Sequence, residues 1–372
     1  MRIALYQPAR PDRDPYPFGS SRVTALMAAA LRLAGHEVEQ IAAGTEPSGD
    51  EVDRLVADLT PSGRPRPDVW ISSRIDGRSG DGIGRAVGAA LGIPHILLQP
   101  DIGRAGETLP AQAIAAANAT FALSGAYAAR IAEGVPGLAD RLIVLPPFVD
   151  LDPVRPAINS RQSNRTLLAL KHQLPTDRPW LIVAGPMATD SDLESFRRLA
   201  QAMTPLSDLK CHLIVAGAGA RRAEVGALLG RMPVRNHRVL ATETPADLLA
   251  LMACGDLFVW PSTDESLPLV VLEAQAVGLA VVAGKTAALE EVVGNSRTGM
   301  LVKPGNAPSL GNAIAFLLRH PDFRRTYAEQ GPKWTGRYFD MRAVVSQLDA
   351  TLRRVVRLAG PDGAALPVQG VD

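Results

Sequence analysis

Short apolar runs alternate along the chain with segments of helical periodicity. The first half contains a helical repeat at Val23, Leu26, Met27, Ala30 and Leu31. Six strands are predicted before residue 150, at residues 2–6, 37–41, 68–72, 95–98, 120–123 and 142–145. Six more follow, at residues 180–184, 212–216, 239–241, 257–260, 281–283 and 300–302. Because alternating strands and helices build parallel sheets, the pattern predicts two doubly wound α/β domains.

The boundaries between these domains follow from changes in composition. Residues 152–179 are polar and proline-rich with a weak apolar patch, as expected of an interdomain connection. Ser191 and Glu194 have the spacing of a capping box for the helix that runs to Met203. Two late helices are predicted at residues 324–330 and 341–356, separated by Gly331 and Pro332. Residues 358–372 are rich in glycine and proline, which predicts a disordered tail.

Residues 256–282 hold the candidate chemistry, in the order strand, loop, helix and strand. Ligands of parallel sheets bind at the carboxyl ends of strands, against helix N-termini that suit a diphosphate. Glu265 in the loop and Glu273 in the helix flank that helix start. Carboxylates placed there can accept hydrogen bonds from sugar and ribose hydroxyls. The alternative is that both are solvated glutamates at a helix end.

Composition narrows the class of protein. A chain of 372 residues with a formal net charge of +1 gives no indication of nucleic-acid binding. Cys211 and Cys254 match neither a metal site nor a disulfide framework, and two buried thiols fit a reducing compartment. Neither a signal peptide nor an apolar run of membrane-spanning length is found in the sequence. We therefore expect a cytoplasmic protein without metal, for which peripheral membrane contact remains open.

The central stretch resembles glycosyltransferase family 4, in which a similar pattern carries the nucleotide-sugar site. The matching residues are Pro261, Ser262, Glu265, Pro268, Leu269, Val270, Leu272, Glu273, Ala274, Ala276, Gly278 and Val281 to Ala283. The resemblance implies a GT-B fold, with two Rossmann-like domains facing a cleft, and transfer of a sugar with retention of configuration. It implies domains at 1–155 and 156–335 and a helix at 336–357 that crosses back to the first domain. The donor would be a nucleoside-diphosphate sugar, and neither cofactor nor metal would be required.

The same resemblance assigns roles to individual residues. The helix start at Leu269 and Val270 would bind the diphosphate, Glu273 the ribose and Glu265 the sugar. The segment containing Gly217 and Gly219 resembles the family's V-G-x-G strand end, where the backbone passes close to the nucleotide. Ser266 and Leu267 complete the predicted donor-binding set, and Gly19 belongs to the acceptor or phosphate side.

Two departures from the family pattern affect catalysis. The family has Gly-Arg and a later lysine after the strand at 180–184, where this chain has Gly185, Pro186 and no nearby cation. A histidine of the first domain is replaced by Pro100, beside which Asp101 can accept a sugar hydroxyl. The candidate replacement cations are Lys285, Arg74, Arg78 and Arg104. The alternatives are therefore a non-catalytic GT-B homologue that binds a nucleotide or a protein, and a different GT-B reaction such as epimerisation.

Overall fold

The computed structural model describes most of the chain. The described ranges are residues 1–8, 20–44, 48–73, 75, 82–100, 111–138, 140–232, 237–242, 244–263 and 269–359. The chain divides into two compact units. The first contains Met1–Arg10, Val23–Pro147 and Arg342–Asp372, and the second contains Pro11–Arg22 and Phe148–Met341.

The first unit is built on a six-stranded parallel sheet in the order β2-β1-β3-β4-β5-β6. Its strands are β1 (Arg2–Pro8), β2 (Glu37–Ala43), β3 (Val69–Ser73), β4 (His95–Leu98), β5 (Ala119–Ala122) and β6 (Leu142–Val144). Its helices are α1 (Ser20–Leu33, which belongs to this unit from Val23 onward), α2 (Gly49–Leu59), α3 (Gly82–Leu91), α4 (Ala111–Ala116) and α5 (Gly125–Gly134). A late helix, α15 (Met341–Leu358), joins this unit from Arg342 onward and buries Val344, Leu348, Leu352 and Val355.

The second unit repeats the architecture with a sheet in the order β12-β11-β10-β7-β8-β9. Its strands are β7 (Trp180–Ala184), β8 (His212–Ala216), β9 (His237–Leu240), β10 (Leu257–Trp260), β11 (Ala280–Gly284) and β12 (Gly299–Val302). Its first helices are α6 (Val154–Asn159), α7 (Arg161–His172), α8 (Asp190–Met203), α9 (Arg222–Gly230) and α10 (Pro245–Ala253). They are followed by α11 (Leu269–Ala276), α12 (Ala287–Val292), α13 (Ala307–Arg319) and α14 (Pro321–Tyr338).

The central strands of the second sheet are buried on both faces. All residues of β7, β8, β10 and β11 are buried, which is why these strands are continuous apolar runs in the sequence. One face packs on α8, α9 and α13, through residues such as Leu199, Leu229 and Ile314. Among the described helices, none combines the length and the apolar character needed to cross a bilayer.

Several details of the sequence prediction were wrong, and three of them concern helices. Residues 152–179 contain α6 and α7 instead of a plain connection; the exposed Leu167 and Leu170 break the amphipathic pattern that would have indicated a helix. The capping box of α8 is formed by Thr189 and Asp192, two residues before the predicted pair.

The third error concerns Gly331 and Pro332, which do not end a helix but lie inside the continuous α14. A Cβ at Gly331 would lie 2.5 Å from the carbonyl oxygen of Gln275 in α11. The glycine is therefore needed for the close approach of two helices, which outweighs its low helix propensity.

Candidate functional site

The strand order of the second sheet creates a switch point between β7 and β10. Their chain connections leave in opposite directions, and in open parallel sheets ligands bind at the carboxyl end of such a pair. Gly185 follows β7 at this point and Trp260 ends β10. A Cβ on Gly185 would lie 3.5 Å from Cζ3 of Trp260, so the indole reaches across to the end of β7.

Trp260 is a residue that the sequence analysis did not select. Its side chain is 9% exposed, and its indole Nε1 is buried without a hydrogen-bond partner in the part of the chain that the structure describes. A buried donor without a partner costs free energy, which makes the indole N–H a candidate donor to a ligand at this switch point.

The helix α11 begins after the same switch point, and hydrogen bonds of its buried Gln275 fix it to the rest of the unit. Its Gln275 donates from Nε2 to the carbonyl of Val292 at 3.1 Å, and Thr298 donates to Gln275 Oε1 at 2.6 Å. The helix ends before Gly278, which has a φ of +83° and a left-handed backbone that favours glycine. The predicted phosphate-binding residues Leu269 and Val270 form the start of α11 and are both buried.

Glu273 lies in the second turn of α11 and is 6% exposed. Arg22, which groups with the second unit by its contacts, donates to Oε1 of Glu273 and forms an ion pair with it. Burial raises the pKa of Glu273 above its ordinary value, and the charge and the hydrogen bond of Arg22 oppose that rise. The side chain is thus not the solvated glutamate of the alternative interpretation.

Lys285 directly follows β11, so the sheet fixes the position of its backbone. Its amide donates to the carbonyl of Val302 at 2.7 Å. The ammonium is half exposed and forms an ion pair with Glu290 at 3.0 Å. The group therefore lies at the carboxyl edge of the sheet, held by a surface interaction that is worth only about 0–1 kcal/mol.

Gly217 and Gly219 follow β8 and lie against the loop that follows β7. A Cβ on Gly217 would be 2.6 Å from the carbonyl oxygen of Gly185, and one on Gly219 would overlap the carbonyl of Met187. Gly219 also has a φ of +137°. The close packing of these two loops requires glycine at both positions, whether or not a nucleotide binds there.

The predicted site residues that the structure describes lie at one edge of the second sheet. Lys285, Gly217, Gly219 and the start of α11 all lie at carboxyl ends of the second sheet, with Glu273 one turn into the helix. Other predicted residues lie outside the described residues: Glu265, Ser266, Leu267, Asp101, Gly19, Arg74, Arg78 and Arg104. Within the described ranges, we find no group of three or more His, Cys, Asp or Glu that could hold a metal ion.

Two parallel six-stranded sheets with flanking helices define the GT-B fold class, which confirms the prediction from the sequence. A glycosyltransferase from Rickettsia africae has this fold with a TM-score of 0.74 at 15% identity, over 96% of this chain and 98% of that chain. The Anabaena HepE protein in complex with UDP-glucose has it with a TM-score of 0.72 at 18% identity, over 95% and 100%.

The sequence comparisons give the family to which the second unit is similar. Residues 169–334 match the family model described as glycosyl transferases group 1. The chain is 31% identical to a D-inositol 3-phosphate glycosyltransferase of Xylanimonas cellulosilytica over 255 residues, which cover 66% of this chain and 60% of that protein. It is 24% identical to an alpha-D-kanosaminyltransferase of Streptomyces kanamyceticus over 180 residues, covering 48% and 46%. The matches thus span about half to three fifths of these relatives.

Proposed function

We propose that the protein is a glycosyltransferase that moves a sugar from a nucleoside-diphosphate sugar to an acceptor with retention of configuration. The donor binds to the second unit and the acceptor to the first, and the reaction takes place in the cytoplasm. The observation that carries the proposal is the buried carboxylate of Glu273, on a helix that starts at a switch point inside the family match. A relative of the same fold has been seen with UDP-glucose, which supports the choice of donor.

In this proposal Glu273 accepts hydrogen bonds from the ribose, and the amides at the start of α11 bind the diphosphate. The leaving diphosphate develops charge that these amides offset only in part, so cations are needed at the same place. Arg22, at Glu273, and Lys285, at the end of β11, replace the arginine and lysine that the chain lacks after Gly185. Glu265 contacts the transferred sugar. The transfer uses no metal, because these groups neutralise the leaving group.

Replacing Lys285 by alanine should lower turnover at least about tenfold while leaving the melting temperature nearly unchanged. The physical reason is the loss of a cation that stabilises the leaving diphosphate, whereas the ion pair with Glu290 contributes little to stability. Steady-state kinetics with the best donor, together with a thermal melt, measure both quantities.

Lys303 provides a matched control for that experiment, since it is an exposed lysine that follows the neighbouring strand β12. Lys303→Ala should leave turnover within about twofold of the wild-type value. Equal losses in the two variants would mean that Lys285 acts only through the general positive charge of this edge.

Replacing Trp260 by phenylalanine should weaken donor binding about tenfold. Phenylalanine keeps an aromatic ring against Gly185 but removes the indole N–H, and a hydrogen bond to a charged group is worth about 1.5–3 kcal/mol. Isothermal calorimetry with the donor measures the change.

Trp334→Phe is the matched control for Trp260, because the Nε1 of Trp334 is already bonded to the carbonyl of Val292 at 3.0 Å. That variant should lose stability without losing donor affinity. If Trp260→Phe binds donor as tightly as the wild type, its N–H has no part in the site.

The donor itself is identified by thermal shift with UDP-, GDP- and ADP-sugars, followed by product detection with whichever sugar binds. Binding of one donor with transfer to an acceptor, or with slow donor hydrolysis, is the expected result. Donor binding without turnover across a broad acceptor panel would refute the proposed enzyme and favour a non-catalytic binder.

A further inference from the structure

The amino edge of the second sheet, opposite the edge that holds the candidate site, concentrates positive charge. Because all six strands are parallel, the residues at their starts lie together. Arg178 precedes β7, Lys210 precedes β8, and His237 and Arg238 begin β9. Arg238 and Lys210 are exposed, and Arg178 and His237 are half-buried.

The helix α7 continues this edge and ends in two further basic residues, Lys171 and His172. Arg238 donates from Nε to the carbonyl oxygen of His172 at 3.3 Å, which connects the end of α7 to the start of β9. Arg165 of α7 donates to the carbonyl of Arg178 at 3.2 Å and stacks over Trp180. The helix therefore lies along the amino edge.

Two carboxylates at this edge are already engaged. Asp177 forms an ion pair with Arg178 at 2.9 Å, and Asp256 forms one with Arg165 at 2.9 Å. In the part of the chain that the structure describes, Lys171 and Arg238 have no such ion pair, so they form an uncompensated pair of cations, whereas the charge of Lys210 helps to lower the pKa of Asp177. The pKa of His172 is lowered by burial and then by Lys171 and Arg238, which indicates how closely the charges are placed.

Apolar side chains project beside these cations. Leu167 is 63% exposed and Leu170 is 76% exposed, and both are on α7 within four residues of Lys171. They lie on one continuous exposed side of the helix, because residues three and four positions apart share a helix face. Residues 153–172 contain four Arg or Lys and no Asp or Glu: Arg155, Arg161, Arg165 and Lys171.

We propose that this surface, consisting of Leu167, Leu170, Lys171, Lys210 and Arg238, docks the protein on an anionic lipid bilayer. The cations bind lipid headgroups, and the leucines enter the boundary between headgroups and acyl chains. A nucleic acid would use the cations but give exposed leucines no partner, so the bilayer fits both features. The surface lies at the opposite end of the sheet from the candidate donor site, which it would leave open.

The test is flotation of the full-length protein with vesicles of equal parts phosphatidylcholine and phosphatidylglycerol, compared with vesicles of phosphatidylcholine alone. Binding should require phosphatidylglycerol and should fall between about 0.1 M and about 1 M salt, as the Debye length shrinks from about 10 Å to about 3 Å. Lys171→Gln combined with Arg238→Gln should weaken it about 25-fold, since each cation near an anionic surface contributes about fivefold. Leu167→Ser combined with Leu170→Ser should weaken it about tenfold.

Lys333→Gln combined with Arg337→Gln is the matched control, because it removes two exposed positive charges from α14 on another part of the same unit. Vesicle binding by this variant should stay within about twofold of the wild type. The proposal is overturned if wild-type protein does not float with anionic vesicles, or if the control loses as much binding as the α7–β9 variant. Binding to heparin or nucleic acid without vesicle binding overturns it too and assigns the surface to an acidic polymer.

Discussion

Replacing Glu273 by glutamine should weaken the binding of the nucleoside-diphosphate sugar about 10- to 100-fold. Glutamine keeps the size of the buried side chain but loses the charge, and a charge-assisted hydrogen bond is worth about 1.5–3 kcal/mol. Calorimetry measures the affinity, and a thermal melt verifies the fold. Glu329→Gln, an exposed change on α14, is the control and should have no effect on affinity. Unchanged affinity in a folded Glu273→Gln variant would remove this residue from the site.

The pH dependence of donor binding tests the same assignment through Arg22. Burial raises the pKa of Glu273, and binding requires the ionised carboxylate, so affinity should fall as the pH is lowered through that raised pKa. Arg22→Ala removes the charge that opposes the rise, so in this variant the loss should begin at a higher pH. In Glu273→Gln, which has no carboxylate at this position, the fall in affinity that is due to Glu273 should be absent. A profile that is identical in all three proteins would contradict the proposed role of the pair.

His212 should make the folded protein lose about 2–3 kcal/mol of stability between pH 7 and pH 4.5. Burial, and after it the nearby charges of Arg238, Arg178 and His237, together lower the pKa of this histidine from 6.5 to about 4. Both ring nitrogens are buried without a hydrogen-bond partner among the described residues. The pKa of His212 is lower in the folded protein than in the unfolded chain. The contribution of its neutral form to stability is therefore fully present above about pH 6.5 and is lost as the pH falls toward about 4.

Urea unfolding of the wild type and of His212→Leu at both pH values measures this effect. The leucine variant lacks the titrating group, so its stability should fall by about 2–3 kcal/mol less than that of the wild type over this interval. His320→Leu, which changes an exposed histidine, should behave as the wild type does. Parallel pH curves for the wild type and His212→Leu would show that His212 is not responsible for acid destabilisation.

The parts of the fold that could be predicted from the sequence are those in which burial alone determines the structure. Residues 180–184, 212–216 and 257–260 are strands with the predicted limits, because an apolar run between polar breakers has no other stable position than the sheet interior. At the edge of the sheet the prediction was less accurate. β9 begins at His237, two residues before the predicted start, because its partly exposed side chains give no apolar signal.

In the candidate site, too, some residues could be predicted from the sequence and others could not. Glu273 could be selected because the breakers, apolar positions and glutamates around it fall in register with the family pattern that this stretch resembles. Its partner Arg22 is 251 positions away in the sequence, so no local pattern connects the two. Trp260 was interpreted only as an apolar strand residue, because the lack of a partner for its N–H is a property of the folded environment.

The division of the chain into units has a consequence for synthesis on the ribosome. The first unit takes its last helix from residues after 341, whereas almost all of the second unit is the continuous segment 148–341. The side chains of Leu348 and Leu352, which are 0% exposed, reach the first core only after that whole segment has been made. The usual order, in which the N-terminal domain folds first during translation, is therefore expected to be reversed. A nascent chain halted after residue 341 should contain a protease-resistant second unit and an incomplete first one.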